Sequence, residues 1–173
     1  MGKHLIKVWH EQLFQISRED VRSIAATVNL EFISITEKNV EIVEKLRGAE
    51  YVKQFRQHLA LGDFGYYAYY EGKPVGYGWV KHPGSRDFFF KIEEGCCYLC
   101  RFFVHEEMRG KRIYPNLITA LIEREAKCNT FYIAVERGNT PSERGIAKIG
   151  FQLCKEYSFW RVLKQTINKQ ILR

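Results

Sequence analysis

The spacing of apolar residues along the chain changes between the period of a strand and the period of a helix. Apolar and polar residues alternate over residues 32–35, which predicts a strand. Aromatic-rich runs at 66–70 and 75–80 are joined by a polar turn that contains glycine and proline, which predicts a β-hairpin. Apolar runs at 98–104 and 131–136 predict two more strands.

Helical spacing connects these strands. Residues 40–46 carry apolar side chains at intervals of three and four, and Thr36 can cap the helix that they predict. A second helix is predicted over residues 49–61. Two later helices are predicted to begin at Ile113 and at Thr140-Pro141-Ser142.

The two ends of the chain are less regular. Residues 5–17 hold short β-like runs, and residues 18–28 predict a short helix. Residues 151–163 predict a final strand or hairpin. The succession of strands and helices predicts an α/β fold of the α+β type, in which helices flank a mixed central sheet.

Length and composition indicate one domain. A chain of 173 residues with 46% hydrophobic residues can bury a substantial core. We therefore expect residues 1–173 to form a single domain, with residues 1–30 as an N-terminal extension of uncertain role and residues 164–173 as a basic, solvated tail. No apolar run approaches the roughly 20 residues of a membrane span, so the sequence predicts a soluble protein.

The net charge of +7 suggests a polyanionic partner. A basic surface attracts nucleic acid without reading its sequence, but cofactor phosphates are polyanions too. The basic residues are spread over the chain and concentrate at residues 109–112 and 164–173. This distribution leaves nucleic-acid binding as an alternative rather than the main expectation.

Five cysteines and the absence of a signal peptide predict reduced thiols in a cytoplasmic protein. Cys97 and Cys100 form a C-x-x-C pair, yet strand alternation places them on opposite faces of a sheet. Buried apolar packing is therefore expected for these side chains, and no metal site is expected.

The strand at residues 98–104 leads into a basic turn, Met108–Arg112, and then into a helix. Backbone N–H groups at a helix start have no partner within the helix, and the helix dipole adds positive potential there. The turn is therefore predicted to bind a phosphate, with Arg109 and Lys111 beside it. Neither the GxxxxGK[ST] nor the GxGxxG pattern of nucleotide-binding loops is present.

This turn resembles that of the GCN5-related N-acetyltransferases (GNAT). The family's pyrophosphate turn reads roughly (Arg/Gln)-x-x-Gly-x-(Gly/Ala), and residues 109–114 read Arg-Gly-Lys-Arg-Ile-Tyr. The resemblance continues in the strand at 131–136, in Asn139 and in Ile149-Gly150-Phe151. Arg112 and Tyr114 depart from the family pattern, because small residues are usual at both places.

The resemblance implies acetyl-CoA as co-substrate, bound where the family's parallel fourth and fifth strands splay apart in a mostly antiparallel sheet. The coenzyme arm is expected to pair with the backbone of the fourth strand. Arg112 either binds the diphosphate or points into solvent, and Asn139 either lies beside the arm or is an ordinary turn residue. The implied coenzyme-binding residues are Phe102, Phe103, Val104, Arg109, Gly110, Lys111, Arg112, Ile113, Tyr114 and Asn139.

The family's reaction is direct attack of an amine on the thioester, so the resemblance implies an N-acetyltransferase acting on a primary amine of a small molecule, for example an amino sugar. Ile146 stands where many members have a tyrosine that protonates the leaving sulfur. The candidate acid–base residues are Tyr98, His105 and Tyr114. An acceptor pocket is expected among the aromatic residues 66–79 and the loop with Phe88–Phe90.

Two alternatives stay open beside this prediction. The same fold could serve as a non-catalytic acyl-CoA-binding or interaction module, which the loss of the tyrosine at position 146 suggests. A nucleic-acid-binding domain is the other. A homodimer is also left open.

Overall fold

The computed structural model of the protein describes residues 7–83, 85, 90–162 and 165–171. Within these residues, eight strands form one sheet in the order β2-β3-β4-β5-β6-β1-β7-β8. Their bounds are β1 Lys7–Ser17, β2 Glu31–Ser34, β3 Phe64–Tyr70, β4 Lys73–Lys81, β5 Cys96–Val104, β6 Thr130–Glu136, β7 Gln152–Val162 and β8 Gln165–Ile171. β5 and β6 are parallel, and the other neighbouring strands are antiparallel. The prediction of a mixed, mostly antiparallel sheet is confirmed.

Helices cover both faces of this sheet. The helix bounds are α1 Val43–Arg47, α2 Glu50–Ala60, α3 Ile113–Arg124 and α4 Thr140–Ile149. We call the two sides the α1/α2 face and the α3/α4 face. No helix in the described part of the chain has the length and apolar composition needed to cross a membrane.

Each face has its own hydrophobic core. On the α1/α2 face the ring of Phe55 lies edge-on to the rings of Tyr77 and Trp79, with centroid distances of 4.8 and 5.0 Å. On the α3/α4 face, Leu121 and Ile146 are fully buried in one cluster with strand residues. Large, close-packed apolar side chains on both faces hold the sheet rigid, so that strand ends can position a site.

The predicted hairpin is confirmed as β3 and β4. Glu71 and Gly72 form the turn between them, both with positive φ values of 50° and 71°. Such backbone angles match the twist of the flanking strands in a tight hairpin. The turn is shorter than the four polar residues suggested, because Lys73 and Pro74 already belong to β4.

β5 and β6 pair only over their first halves. Residues Cys96 to Leu99 lie opposite Thr130 to Ile133, and the parallel pairing stops there. β5 then continues to Val104 and β6 to Glu136, so the strands separate toward their carboxyl ends. The splay implied by the family resemblance is thus present.

β5 also carries a bulge where the splay begins. Its register with β4 shifts between Tyr77, which lies opposite Phe103, and Trp79, which lies opposite Cys100. Arg101 in the bulge has a φ of 52°. Gly78 faces the bulge, and a side chain there would collide with the ring of Phe102.

The amino-terminal residues differ from the prediction. Residues 7–17 form one continuous strand, β1, in the carboxy-terminal half of the sheet between β6 and β7. The helix predicted over residues 18–28 is wrong, since only Arg18–Asp20 form a short 3-10 turn.

Tertiary hydrogen bonds explain why this helix does not form. The Arg18 guanidinium donates to the carbonyls of Ile122, Glu125 and Cys128, and the Arg22 N–H donates to the carbonyl of Ile149 at 2.8 Å. These bonds tie the segment to the ends of α3 and α4 and override a local helical preference.

The predicted basic tail contains a strand. Residues 165–171 form β8, which pairs with β7 and completes a hairpin.

The predicted helix cap at Thr36 is wrong, because Asn39 precedes a 3-10 turn and its Oδ1 accepts the Thr36 N–H at 2.8 Å. α1 therefore begins only at Val43.

The prediction that all thiols are reduced is wrong for two of them. Cys97 and Cys128 form a disulfide, with Cα atoms 5.9 Å apart. Parallel pairing brings them together, since Cys97 lies opposite Phe131, three residues beyond Cys128. Cys97 and Cys100 do lie on opposite faces, as strand alternation predicts.

Candidate active site

A cavity of about 930 Å³ runs through the gap between β5 and β6. It reaches the turn before α3 and the first part of α4 on one side of the sheet, and Tyr98 and Cys100 on the other. The gap therefore connects the two faces. Several of the predicted coenzyme-binding residues line it, namely Phe102, Phe103, Val104, Arg109, Gly110, Arg112, Ile113, Tyr114 and Asn139.

The turn before α3 has left-handed backbone at Gly110 and Arg112, whose φ values are 80° and 59°. Glycine favours this conformation and arginine does not. Arg112 stands where the GNAT pattern has glycine, and its backbone adopts a conformation that glycine favours. Residue 112 is also the N-cap of α3.

The backbone N–H groups of this turn are available to a ligand. Among the hydrogen bonds of the described residues, none is donated by the backbone nitrogens of residues 110–114. They lie at the amino end of a 12-residue helix, where the helix dipole is positive. The arrangement suits an anion such as a diphosphate.

Basic side chains of the turn and of α4 line the same cavity. Arg109 and Arg112 belong to the turn, and Arg144 and Lys148 belong to α4. The Arg112 guanidinium also lies 3.4 Å from the carbonyl of Ala25. Arg144 and Lys148 were not among the predicted site residues, although they are four residues apart in α4 and therefore lie on the same side of this helix.

The structure does not bring the ammonium of Lys111 into the cavity. Its Nζ lies 3.4 Å from the sulfur of Met108 and 5.5 Å from the centroid of the Tyr70 ring. Lys111 is therefore close to the anion site only through its backbone. Its carbonyl accepts a hydrogen bond from the Thr27 hydroxyl at 3.0 Å.

Asn139 lies both at the start of α4 and at the cavity. It is the N-cap of α4, and its Oδ1 accepts the Ser142 N–H at 3.4 Å. It also lines the cavity. A capping asparagine orients the first turn of α4 and with it the basic side chains further along that helix.

Tyr114 lies on the α3/α4 side of the cavity. Its ring is perpendicular to that of Phe102, with centroids 5.2 Å apart. Burial raises the pKa of its phenol far above the usual value, and a hydrogen bond with Ser142 opposes the shift only in part. The phenol therefore stays protonated at neutral pH and can donate a hydrogen bond, but it cannot act as a base.

Of the other two acid–base candidates, Tyr98 lies at the cavity and His105 does not. Tyr98 is buried on the α1/α2 face, where it lines the cavity and packs edge-on against Phe90. His105 is not among the residues that line the cavity, and its Nδ1 lies 4.0 Å from Glu107 Oε2 on the outside of the protein. Ile146 is fully buried and offers no proton.

Two carboxylates that the sequence analysis missed lie on the α1/α2 face. Glu11 of β1 and Glu136 of β6 are register partners, and both line the cavity. The two carboxylates lie side by side because β1 pairs with β6, and no local pattern in the sequence predicts this pairing. The aromatic residues Tyr77 and Trp79 are mostly core, and Phe88 and Phe89 lie outside the described residues.

One group of metal-ligating side chains lies away from this cavity. Ligand atoms of His82, Cys97 and Glu125 lie within 4.8 Å of one another. His82 Nε2 is 2.7 Å from Glu125 Oε2, and Cys97 is bonded to Cys128. A sulfur in a disulfide is not a thiolate ligand, so these residues do not suit a metal while the disulfide is closed.

The strands β5 and β6 separate around a cavity that reaches the turn before α3. This arrangement is typical of the GNAT fold. The chain belongs to the Acetyltransferase (GNAT) family, whose model matches residues 29–151.

The most informative relative by name is a spermine/spermidine N(1)-acetyltransferase of Bacillus subtilis. It is 31% identical over 94 residues, which are 53% of this chain and 60% of that protein. The chain thus spans about 60% of the length of this curated relative.

Solved structures share the fold at low sequence identity. A conserved protein from Staphylococcus epidermidis has a TM-score of 0.67 and 13% identity, over 94% of this chain and 64% of that chain. The aminoglycoside N-acetyltransferase AAC(6')-Iy in complex with CoA has a TM-score of 0.60 and 15% identity, over 75% of this chain and 92% of that chain.

Proposed function

We propose that this chain binds acetyl-CoA and transfers the acetyl group to a primary amine of a small molecule. The observation that carries the proposal is the continuous cavity between β5 and β6. It joins a turn with unpaired N–H groups on the α3/α4 side to a face with acidic and aromatic side chains on the other. A long cofactor with a diphosphate at one end and a thioester at the other fits such a passage.

The diphosphate is held by the backbone N–H groups of residues 110–114, with Arg109 and Arg112 beside them. Arginine binds phosphate with a planar fork of donors, and these bonds are stronger than neutral ones. Arg144 and Lys148 add positive charge from α4. The coenzyme arm follows the unpaired edge of β5 at Phe102, Phe103 and Val104.

The acetyl carbonyl is expected near the bulge at Arg101, where the parallel pairing has just ended. A backbone N–H at that point can stabilise the negative oxygen of the tetrahedral intermediate. Tyr114 is the protonated phenol on the coenzyme side of the gap, and it is our candidate donor to the departing thiolate.

The acceptor amine enters from the α1/α2 face and must lose its proton before it attacks. Tyr98 lines this side of the cavity, and so do the carboxylates of Glu11 and Glu136. A carboxylate or a water held by one can take the amine proton. We therefore add both glutamates to Tyr98 as candidate acceptor-side residues.

The proposal is tested by calorimetry with CoA and acetyl-CoA, followed by an assay of free thiol with a panel of amines. We expect acetyl-CoA binding and thiol release that depends on an amine. Binding without turnover for any amine would instead support an acyl-CoA-binding module. No binding of either coenzyme would overturn the proposal.

A further inference from the structure

Two arginines lie near the β5 side of the cavity. Arg47, the last residue of α1, holds its guanidinium carbon 4.9 Å from the centroid of the Phe103 ring and 4.3 Å from that of Tyr51. It also donates a hydrogen bond to the Tyr51 hydroxyl. Because Phe103 lines the cavity, the Arg47 side chain is held beside its acceptor end.

The second arginine is Arg101, in the bulge of β5. It is exposed and lines the cavity directly. It lies two residues before Phe103 in β5, and the Arg47 guanidinium lies over the Phe103 ring. Burial raises the pKa of Tyr77, and both positive charges lower it. The Tyr77 ring stacks on Phe103 with a centroid distance of 5.7 Å, so the Arg47 guanidinium lies beside a pair of aromatic rings.

Neither arginine has a carboxylate within 4.0 Å among the residues described here. Arg56 of α2 is different, with Glu37 and Glu41 at 3.6 and 3.2 Å. Arg47 is stacked on two rings and Arg101 is exposed, and a guanidinium without an acidic partner keeps its donors free for an anion. Two such groups beside one cavity form a binding site for an anionic oxygen group.

We propose that Arg47 and Arg101 bind an anionic group, a phosphate or a carboxylate, on the acceptor itself. This inference rests on the proposed function and narrows its substrate class to amines that also carry negative charge. Glu11 and Glu136 lie on the opposite wall of the cavity, on the β1–β6 side. An acceptor with an amine at one end and an anion at the other is oriented by both walls.

A polyamine lacks the anionic end. Spermidine offers positive charge at every nitrogen, so the two arginines repel it, although the name of the Bacillus subtilis relative includes that amine. Repulsion of a wrong substrate contributes to specificity as much as attraction of the right one.

The first experiment compares matched amines with and without an anionic group. Glucosamine is paired with glucosamine 6-phosphate, ethanolamine with phosphoethanolamine, and propylamine with β-alanine, and spermidine is added. We expect kcat/KM at least about tenfold higher for the anionic member, because hydrogen bonds between ionised groups are strong. The difference should lie in KM and shrink with added salt. Phosphate and carboxylate members are compared with each other to identify the group.

The second experiment uses variants. Arg47→Gln should raise KM for the anionic amine about tenfold and leave the uncharged partner unchanged, and Arg47→Lys should recover part of the loss. Arg101→Gln should lower the ratio of kcat/KM between the anionic and the uncharged amine about tenfold. Arg56→Gln is the matched control, since its charge is already paired on the same face. An equal loss for charged and uncharged amines would show a merely structural role and overturn the inference.

Failure of this inference is distinguishable from failure of the proposed function. Equal turnover of both members of each pair, or a preference for spermidine, contradicts the anion site while acetyl transfer stands. If CoA binds and nothing turns over, calorimetry of the CoA-loaded protein with glucosamine 6-phosphate decides. Binding that is lost in Arg101→Gln supports the site, and no binding overturns it.

Discussion

Gly145 of α4 leaves the space that the ring of Tyr114 occupies. A Cβ atom on residue 145 would lie 2.9 Å from Cδ1 of Tyr114, closer than carbon atoms approach without a shift. The GNAT pattern has a small residue at position 114, and here the small residue is on the facing helix. The two positions together keep α3 and α4 in contact beside the turn before α3.

This relationship predicts an unusual effect of Gly145→Ala. Glycine to alanine inside a helix ordinarily stabilises by about 1 kcal/mol. Here the added methyl group overpacks against Tyr114, and we expect a loss of about 1–3 kcal/mol in the free energy of unfolding, measured with urea. In a Tyr114→Ala background the same change should stabilise. A stabilising Gly145→Ala in the wild-type background would contradict the packing.

The left-handed backbone at Arg112 predicts that glycine is preferred there for stability. Arg112→Gly should be about 1 kcal/mol more stable than Arg112→Ala, since alanine keeps the strain at a φ of 59°. Both variants lose the guanidinium equally, so the pair isolates the backbone effect. Thermal unfolding of the two proteins measures it, and equal stabilities would show that the turn is not left-handed.

The buried phenol of Tyr114 predicts a pH effect on stability at high pH. Its pKa is raised above the ordinary value of 10.0, so the unfolded chain releases this proton first as pH rises. Its contribution to stability is complete below about pH 10 and is lost above it.

Tyr114→Phe isolates this contribution. The stability of the wild-type protein should fall more steeply above pH 10 than that of the variant, because other buried tyrosines contribute equally to both. Chemical denaturation at pH 8 to 11 provides the comparison. Parallel curves for the two proteins would place the Tyr114 hydroxyl in solvent.

The disulfide between Cys97 and Cys128 predicts that a reductant lowers the free energy of unfolding. It joins residues separated by 31 positions, and opening a loop of that length costs about 2–4 kcal/mol of stability. Alkylation of the denatured, unreduced protein should label Cys96, Cys100 and Cys154 and leave the other pair unlabelled. The Cys154→Ser variant should still lose stability when reductant is added, and the stability of the Cys97→Ser variant should not change with reductant. Labelling of all five cysteines without reductant would contradict the bridge.

Local patterns predicted the elements whose residues are close in sequence. The hairpin of β3 and β4, helix α2 and helix α3 with the turn before it follow from side-chain period and turn residues. The insertion of β1 between β6 and β7, and the pairing of β8, depend on partners far along the chain. Nothing within residues 7–17 specifies those partners.

The same distinction applies to the candidate site. The turn at residues 109–114 is contiguous and could be read directly, whereas Glu11 meets Glu136 only through the sheet order. The bulge at Arg101 depends on Gly78 of the neighbouring strand. The sequence also does not predict the direction of a side chain. Lys111 and Arg112 are adjacent, yet only Arg112 lines the cavity.

The central claim is that the turn before α3 binds the diphosphate of the coenzyme, and the affinity for CoA of three variants tests it most directly. Arg109→Ala combined with Arg112→Ala should raise the Kd measured by calorimetry at least about tenfold, with thermal stability nearly unchanged. Lys111→Ala is the control, because its ammonium points to Met108 and Tyr70, and its Kd should stay within about twofold of wild type. An unchanged Kd in the double variant would contradict the account.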